Sequence, residues 1–274
     1  MEGVGPKGEA RLLCGVDGDV HVSVLARRAA TWARAAESLL GQANIAGVLF
    51  SDGKHDPVVV GKAAIVLDRA AGASARGPAS PGRDASVNDR AEGGAEFWQS
   101  ADAFAQASDA GNRALRQLVS DAVGPAPGRV VELFAGAGNF TRDLARVAES
   151  VFAVEWSSSA VACGRRNVAA AGGGARVGWQ TGTVLQARRA LAGQTPQVVV
   201  VDPPRTGLEP RDLAAVAELS PERIVYVSCD PMTLARDLAR LATLGYGGRE
   251  ATPLDLMPQT FHVETVAVLE RARS

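Results

Sequence analysis

Residues 131–140 read Val-Glu-Leu-Phe-Ala-Gly-Ala-Gly-Asn-Phe: an apolar run, two glycines one residue apart, then the start of an amphipathic stretch. A strand feeding a glycine turn that opens a helix lets the backbone approach a ligand closely, because glycine has no Cβ. Gly136 and Gly138 would make that approach. A dinucleotide fingerprint carries a third glycine three residues on, and Thr141 holds that place. The next apolar run, Val151–Val154, ends in Glu155. An acid there can accept both hydroxyls of a ribose. Together the two features point to a cofactor containing a nucleoside, and on their own they leave dehydrogenase and methyltransferase chemistry both open.

Three more polar clusters follow apolar runs or lead into them. Asp202-Pro203-Pro204-Arg205-Thr206-Gly207 follows Val198–Val201, Ser228-Cys229-Asp230-Pro231 follows Ile224–Val227, and Asp255 to Glu264 leads into the last run. The cysteines are Cys14, Cys163 and Cys229, far apart and without a Cys-x-x-Cys pair, so a zinc site or redox pair is not expected. Three thiolates also fall short of the four that an iron–sulfur cluster takes, and none is expected. An odd count in an intracellular protein leaves room for one reactive thiol, while Cys14 and Cys163 read as structural.

The elements that must hold these clusters alternate regularly. Strands are predicted at 129–134, 151–155, 175–179, 197–201 and 223–227, with helices at 139–148, 158–171, 184–192, 210–218 and 231–243. Two strands near 248–256 and 263–270 close the series with no helix between them. The unbroken apolar run at 197–201 is what a strand buried on both faces of a parallel sheet requires, and the alternation predicts a doubly wound α/β sheet. Seven strands with a closing hairpin resemble the Rossmann-like class I methyltransferases rather than the dinucleotide dehydrogenases.

The first part of the chain has a different character. Leu12 to Val16 and Val20 to Val24 alternate around the Asp17-Gly18-Asp19 turn, a hairpin signal. A helix is predicted at 27–40, and two strands at 45–50 and 57–67. Residues 70–95 are Ala, Gly, Ser, Pro and Arg with almost nothing to bury. The expected organisation is a small N-terminal α/β subdomain over 1–69, a flexible linker or loop over 70–95, and the main domain over 96–274.

Hydrophobic residues make up 46% and charged residues 22% of the 274, enough for a packed core. No window has the long charge-free run of a membrane helix, and the first apolar stretch is too short for a signal peptide. A cytoplasmic monomer is the expectation. The net charge of −1 favours no partner, although only Lys7, Lys54 and Lys62 of the 29 basic residues are lysine. Such a bias toward arginine reads first as genome composition and second as phosphate recognition.

The Asp-Pro-Pro-Arg-x-Gly, Tyr-x-Ser-Cys-Asp and Pro-Gln-Thr-x-His-x-Glu blocks, in this order and near this spacing, resemble the RNA uridine-C5 methyltransferases of tRNA and ribosomal RNA. The likeness runs from about Arg11 to Glu270. It implies an S-adenosyl-L-methionine cofactor and an RNA substrate. It makes Cys229 the nucleophile and Glu264 the general base. Gln106, Phe134, Gly136, Gly138, Asn139, Glu155, Thr183 and Asp202 become cofactor-binding residues, with Thr183 standing where the family often has Asn. His262 is open between a site and a packing role, and Arg205 between clamping RNA and bracing its loop. Two departures stand out. Ser108 replaces the usual Asn of Phe-x-Gln-x-Asn, and the family's N-terminal OB-type barrel has no counterpart before Arg11.

The implied chemistry suits these residue types. C5 of uracil is too weak a nucleophile to attack a sulfonium methyl, and a thiolate added at C6 makes it enolate-like. A carboxylate must then remove the C5 proton before the thiol leaves. The thiol of Cys229 is expected to ionise easily, because it precedes the N-terminus of helix 231–243. Two other readings stand beside this one. A cytosine-C5 or amino-group methyltransferase is disfavoured by Pro203-Pro204-Arg205, and a non-catalytic binding paralogue is disfavoured by the intact Cys229 and Glu264.

Overall fold

The valines at 198–201 are all buried in the computed structural model, and their strand lies in the middle of a seven-stranded sheet. The structure describes residues 9–14, 20–25, 40, 45–51, 58–61, 64–69, 96–100, 109–173, 176–256 and 263–272. The chain divides into two units: residues 1–102 with 170–172, and residues 103–169 with 173–274.

The first unit holds β1 (Glu9–Cys14), β2 (Val20–Leu25), β3 (Ile45–Ser51) and β4 (Val58–Gly61) in one sheet, ordered β1-β2-β3-β4. The predicted hairpin is present as the antiparallel β1–β2 pair. β5 (Ala64–Arg69) and β6 (Glu96–Ser100) form a separate antiparallel pair, so β6 falls in this unit. The strand read at 57–67 is therefore two. β4 takes its hydrogen bonds from β3, and β5 takes its own from a segment about thirty residues later. The helix expected at 27–40 and the segment 70–95 lie outside the described residues, save Leu40.

The second unit starts with α1 (Asp109–Val123) and continues β7 (Arg129–Leu133), α2 (Thr141–Val147), β8 (Ser150–Glu155), α3 (Ser158–Ala170), β9 (Val177–Thr181), α4 (Val184–Ala190), β10 (Val198–Val201), α5 (Pro210–Glu218), β11 (Arg223–Ser228), α6 (Pro231–Thr243), β12 (Tyr246–Leu254) and β13 (Glu264–Arg271). The sheet order is β12-β13-β11-β10-β7-β8-β9. β9, β8, β7, β10 and β11 are parallel, and β13 lies antiparallel between β11 and β12.

Alternate residues of the central strands enter two cores. Val131, Leu133, Val199, Val201, Ile224 and Tyr226 pack with α4, α5 and α6, whereas Val130, Val198, Val200, Val225 and Val227 pack with α1 and α2. Both faces of these strands are covered, which is why their sequences show no polar alternation. Among the described residues no helix is long and apolar enough to cross a membrane.

Two topological features place the site. The chain moves outward from β7 to β9 and then returns to β10, so the switch point lies between β7 and β10, where ligands of open α/β sheets gather at the carboxyl ends. The antiparallel β13 brings its own amino end to that same edge.

Candidate active site

The loop after β7 starts with backbone strain. Phe134 has φ +63°, a region that a bulky residue rarely adopts, and such outliers collect where a ligand is gripped. Its neighbour Ala135 donates to the Val154 carbonyl at 3.0 Å, which fixes the loop against β8. Gly136 follows at φ +54°, and a Cβ there would meet nothing within 4 Å. Open space over a left-handed glycine is a cradle for a ligand. Gly138 also has positive φ and packs against Gly164 and Trp179.

Glu155 ends β8 and is buried. Its Oε2 accepts from the Gly136 N–H at 2.9 Å, and its Oε1 accepts from the Ser157 N–H at 2.9 Å. The carboxylate is thereby aimed and tied to the glycine loop. Asn139 exchanges two amide hydrogen bonds with Asn112 of α1, at 2.8 and 3.0 Å. A carboxamide pair of this kind still leaves donors and acceptors for a third group. Thr183 is the N-cap of α4: its Oγ accepts from the Gln186 N–H at 3.4 Å, and its own N–H donates to Gln186 Oε1 at 2.8 Å. Gln106 and the 257–262 part of the last polar block, His262 included, lie outside the described residues.

The second half of the site lies at the ends of β10, β11 and β13. Ser228 pairs with Thr265 at the end of the β11–β13 ladder. Cys229 follows Ser228 and Glu264 precedes Thr265, so both lie at this end of the ladder, close enough for Glu264 to act on the thiol. Glu264 is 4% exposed, and Cys229 is half-buried. Burial pushes the Glu264 carboxyl up to about 7, against a weaker downward pull from Arg205. Asp202, at the end of β10, is pushed up to about 8 by burial and then by Glu264. Burial also raises the Cys229 thiol, and Glu264 and Asp202 add to that, while Arg205 opposes them.

The thiol is therefore shifted opposite to the sequence expectation. Burial is the first cause, and the Glu264 and Asp202 carboxyls add to it. Asp230 Oδ1 accepts from the Met232 and Thr233 N–H groups at 2.9 and 3.0 Å, and Pro231 has no N–H to offer. The helix end that was to favour a thiolate already serves a carboxylate.

Among known proteins, the tRNA (uracil-5-)-methyltransferase family model matches residues 84–174 and 189–272, more than half of the chain. The chain belongs to this family. It is a family of S-adenosyl-L-methionine-dependent methyltransferases, and the open glycine cradle with Glu155 beside it fits the nucleoside of that cofactor. An uncharacterized RNA methyltransferase of Lactiplantibacillus plantarum is 36% identical over 185 residues, which are 65% of this chain and 40% of that protein. Another, of Gloeobacter violaceus, is 43% identical over 143 residues, 52% of this chain and 30% of that protein. The chain thus spans less than half the length of the curated relatives it matches. The Pyrococcus abyssi tRNA (uracil-54, C5)-methyltransferase, solved with S-adenosyl-L-homocysteine, superposes with a TM-score of 0.61 at 23% identity, covering 94% of this chain and 58% of that one. That likeness concerns the fold.

Three further residues lie next to the candidate site residues in sequence or act on them. Trp156 directly follows Glu155 and is 65% exposed, a large aromatic face beside the nucleoside cradle. Glu132 of β7 is 1% exposed beneath the glycine loop. It accepts from Thr141 Oγ at 2.6 Å, and burial pushes it up to about 8. Arg205 is the cation that acts on both Cys229 and Glu264. Sequence gave a signal only for Arg205, through its place in the Asp-Pro-Pro-Arg block.

Proposed function

We propose that this chain methylates C5 of a uridine in tRNA or ribosomal RNA, using S-adenosyl-L-methionine, with Cys229 as nucleophile and Glu264 as general base. The observation that carries the reading is that Cys229 and Glu264 lie at the same end of the β11–β13 ladder and interact electrostatically, on the sheet edge that also bears the glycine loop. Phe134, Gly136, Gly138, Asn139, Glu155 and Asp202 would hold the cofactor, joined by Trp156 and, from the segments on either side, by Gln106 and Thr183. When bound, the cofactor supplies an electrophilic methyl group on a positively charged sulfur.

The protein's part is nucleophile, base and electrostatic balance. Cys229 sulfur adds to C6 of the uracil, which leaves C5 enolate-like and able to take the methyl group. Glu264 then takes the C5 proton, and the electron pair of that bond reforms the C5–C6 double bond as the thiolate leaves. A base held near 7 is matched to this work at neutral pH. Its partial protonation also weakens the repulsion that a full carboxylate would exert on the thiolate. Arg205 acts in the same direction on the sulfur.

A stacked base cannot reach this edge, so the target uridine must be flipped out or single-stranded. Pro204, Arg205, Thr206, Pro231 and Met232 are exposed around the thiol and would form the rim that meets the RNA. The test is transfer of labelled methyl groups to RNA from cells lacking this protein, with mapping of the product. 5-Methyluridine at a defined uridine supports the reading, and methylation confined to another base or atom overturns it.

A further inference from the structure

The loop from Pro203 to Leu208 has one backbone hydrogen bond of its own, from the Gly207 N–H to the Pro204 carbonyl at 2.8 Å, and is further tied down by α6. Thr233, in the first turn of α6, donates from Oγ to the Arg205 carbonyl at 3.1 Å. Arg236, one turn later, donates from a terminal nitrogen to the Thr206 carbonyl at 2.8 Å and to the Leu208 carbonyl at 3.4 Å. Asp237 is 0% exposed. Its Oδ2 accepts from the Leu208 N–H at 2.8 Å and from the Tyr226 hydroxyl at 2.6 Å, and its Oδ1 accepts from Arg236 Nε at 2.9 Å. Gly207 sits at φ +69°, and a Cβ there would collide with Asp237 and Arg236. The loop backbone is pressed onto the Asp237 carboxylate, and only glycine allows it.

The same helix starts two residues after Cys229, and Tyr226 lies three residues before it on β11. Thr233, Arg236 and Asp237 are spaced i, i+3 and i+4, hence on one face of α6. The nucleophile and the loop that carries Arg205 are thus fastened to one frame. A buried carboxylate held by three donors is a costly group to keep unless its geometry matters. The groups facing the thiol are Glu264 from β13, Asp202 from β10 and Arg205 from this loop. Of these, Arg205 is the exposed one, and its place depends on the loop.

We propose that Asp237 is a positioning residue: through Leu208 and Arg236 it fixes the 203–208 loop so that the Arg205 guanidinium stands over Cys229 and Glu264. The inference rests on the reading of Cys229 as nucleophile. With Asp237 or Arg236 removed, the loop loosens, the cation moves away, and the thiolate loses the charge that favours it.

The test uses the protein alone, so it does not depend on RNA turnover. The rate at which iodoacetamide alkylates Cys229 is followed against pH by mass spectrometry of the Cys229 peptide. The variants are Asp237→Asn, Arg236→Met and Arg205→Gln. Asp237→Asn and Arg205→Gln should each slow alkylation near neutral pH about threefold, as a thiol pKa raised by roughly half a unit would. The double variant should be no slower than either single one. Arg236 is 56% exposed, so Arg236→Met keeps the fold and decides the matter if Asp237→Asn does not fold. Unchanged or faster alkylation in Asp237→Asn and Arg236→Met, or additive slowing in the double variant, overturns the inference and leaves Asp237 a stability residue. Failure of the wild type to methylate any RNA would instead strike the proposed function and leave this result standing.

Discussion

Glu264 and Cys229 lie at the same end of the antiparallel β11–β13 ladder, each one residue beyond the Ser228–Thr265 pair, and the Glu264 carboxyl acts on the Cys229 thiol. A thiol and a carboxyl so placed can both reach one flat ring, the sulfur at C6 and the oxygen at the C5 proton.

RNA carrying 5-fluorouridine at the target should trap the wild-type protein, because fluorine cannot leave C5 as a cation. A covalent protein–RNA band is expected on a denaturing gel and should vanish in Cys229→Ala. Glu264→Gln should accumulate the adduct on ordinary uridine RNA while releasing at least 100-fold less product, about the contribution of a general base. Full turnover by Cys229→Ala would refute covalent catalysis.

Release of the methylated adduct should depend on pH through Glu264. The carboxyl is held near 7, so the base form is scarce at pH 6 and dominant at pH 8. Single-turnover release should rise about tenfold per unit on the acid side and level off above about 7. In Glu264→Gln the residual rate should lose this limb. A wild-type profile that is flat from pH 6 to 8 would move the base elsewhere.

Stability should fall as pH rises past the ordinary carboxyl range. Glu132 ionises near 4.5 in the unfolded chain and near 8 when folded, so between these values the folded state holds a proton that the unfolded state releases. Its contribution is complete below about pH 4.5 and is lost progressively toward pH 8. Denaturant unfolding at pH 5 and pH 8.5 should show a decline that Glu132→Gln reduces by a few kcal/mol at most, the order that a shift of this size implies. An identical decline in both proteins would mean that Glu132 is not the source.

Gly164→Ala should disturb the glycine loop from a distance. A Cβ at Gly164 would collide with the Trp179 ring, which also lies 3.4 Å from the Cβ position of Gly138. Overpacking of this kind costs about 1–3 kcal/mol, offset by about 1 kcal/mol of helix propensity. A lower melting temperature, altered tryptophan fluorescence and weaker cofactor binding by calorimetry are expected. Cofactor affinity equal to wild type would detach Trp179 from the loop.

Much of the sheet was legible because its signals are local. Four- to six-residue apolar runs ending in Glu155, Asp202 and Cys229 mark parallel strands buried on both faces, and in such a sheet the carboxyl ends share one edge whatever the strand order. That puts the glycine loop, Glu155, Asp202 and Cys229 on one edge from sequence alone. The helices predicted at 210–218 and 231–243 are present, each starting at a proline, Pro210 and Pro231. The strand after α3 lies at 177–181 rather than 175–179, a shift that a segment rich in glycine does little to prevent.

What the sequence left open depends on pairings between distant segments. Nothing in residues 264–271 says that β13 inserts between β11 and β12, yet that insertion brings Glu264 to the same end of the ladder as Cys229. The direction of the thiol shift came from burial and from the Glu264 and Asp202 carboxyls, and both are sums over neighbours rather than properties of a window. The Tyr226–Asp237–Leu208 contacts join residues 11 and 29 positions apart, chosen by how α6 packs on the sheet. Local patterning determined which residues could do chemistry, and tertiary packing decided their ionisation and their partners, because burial and long-range register exist only once the sheet has closed.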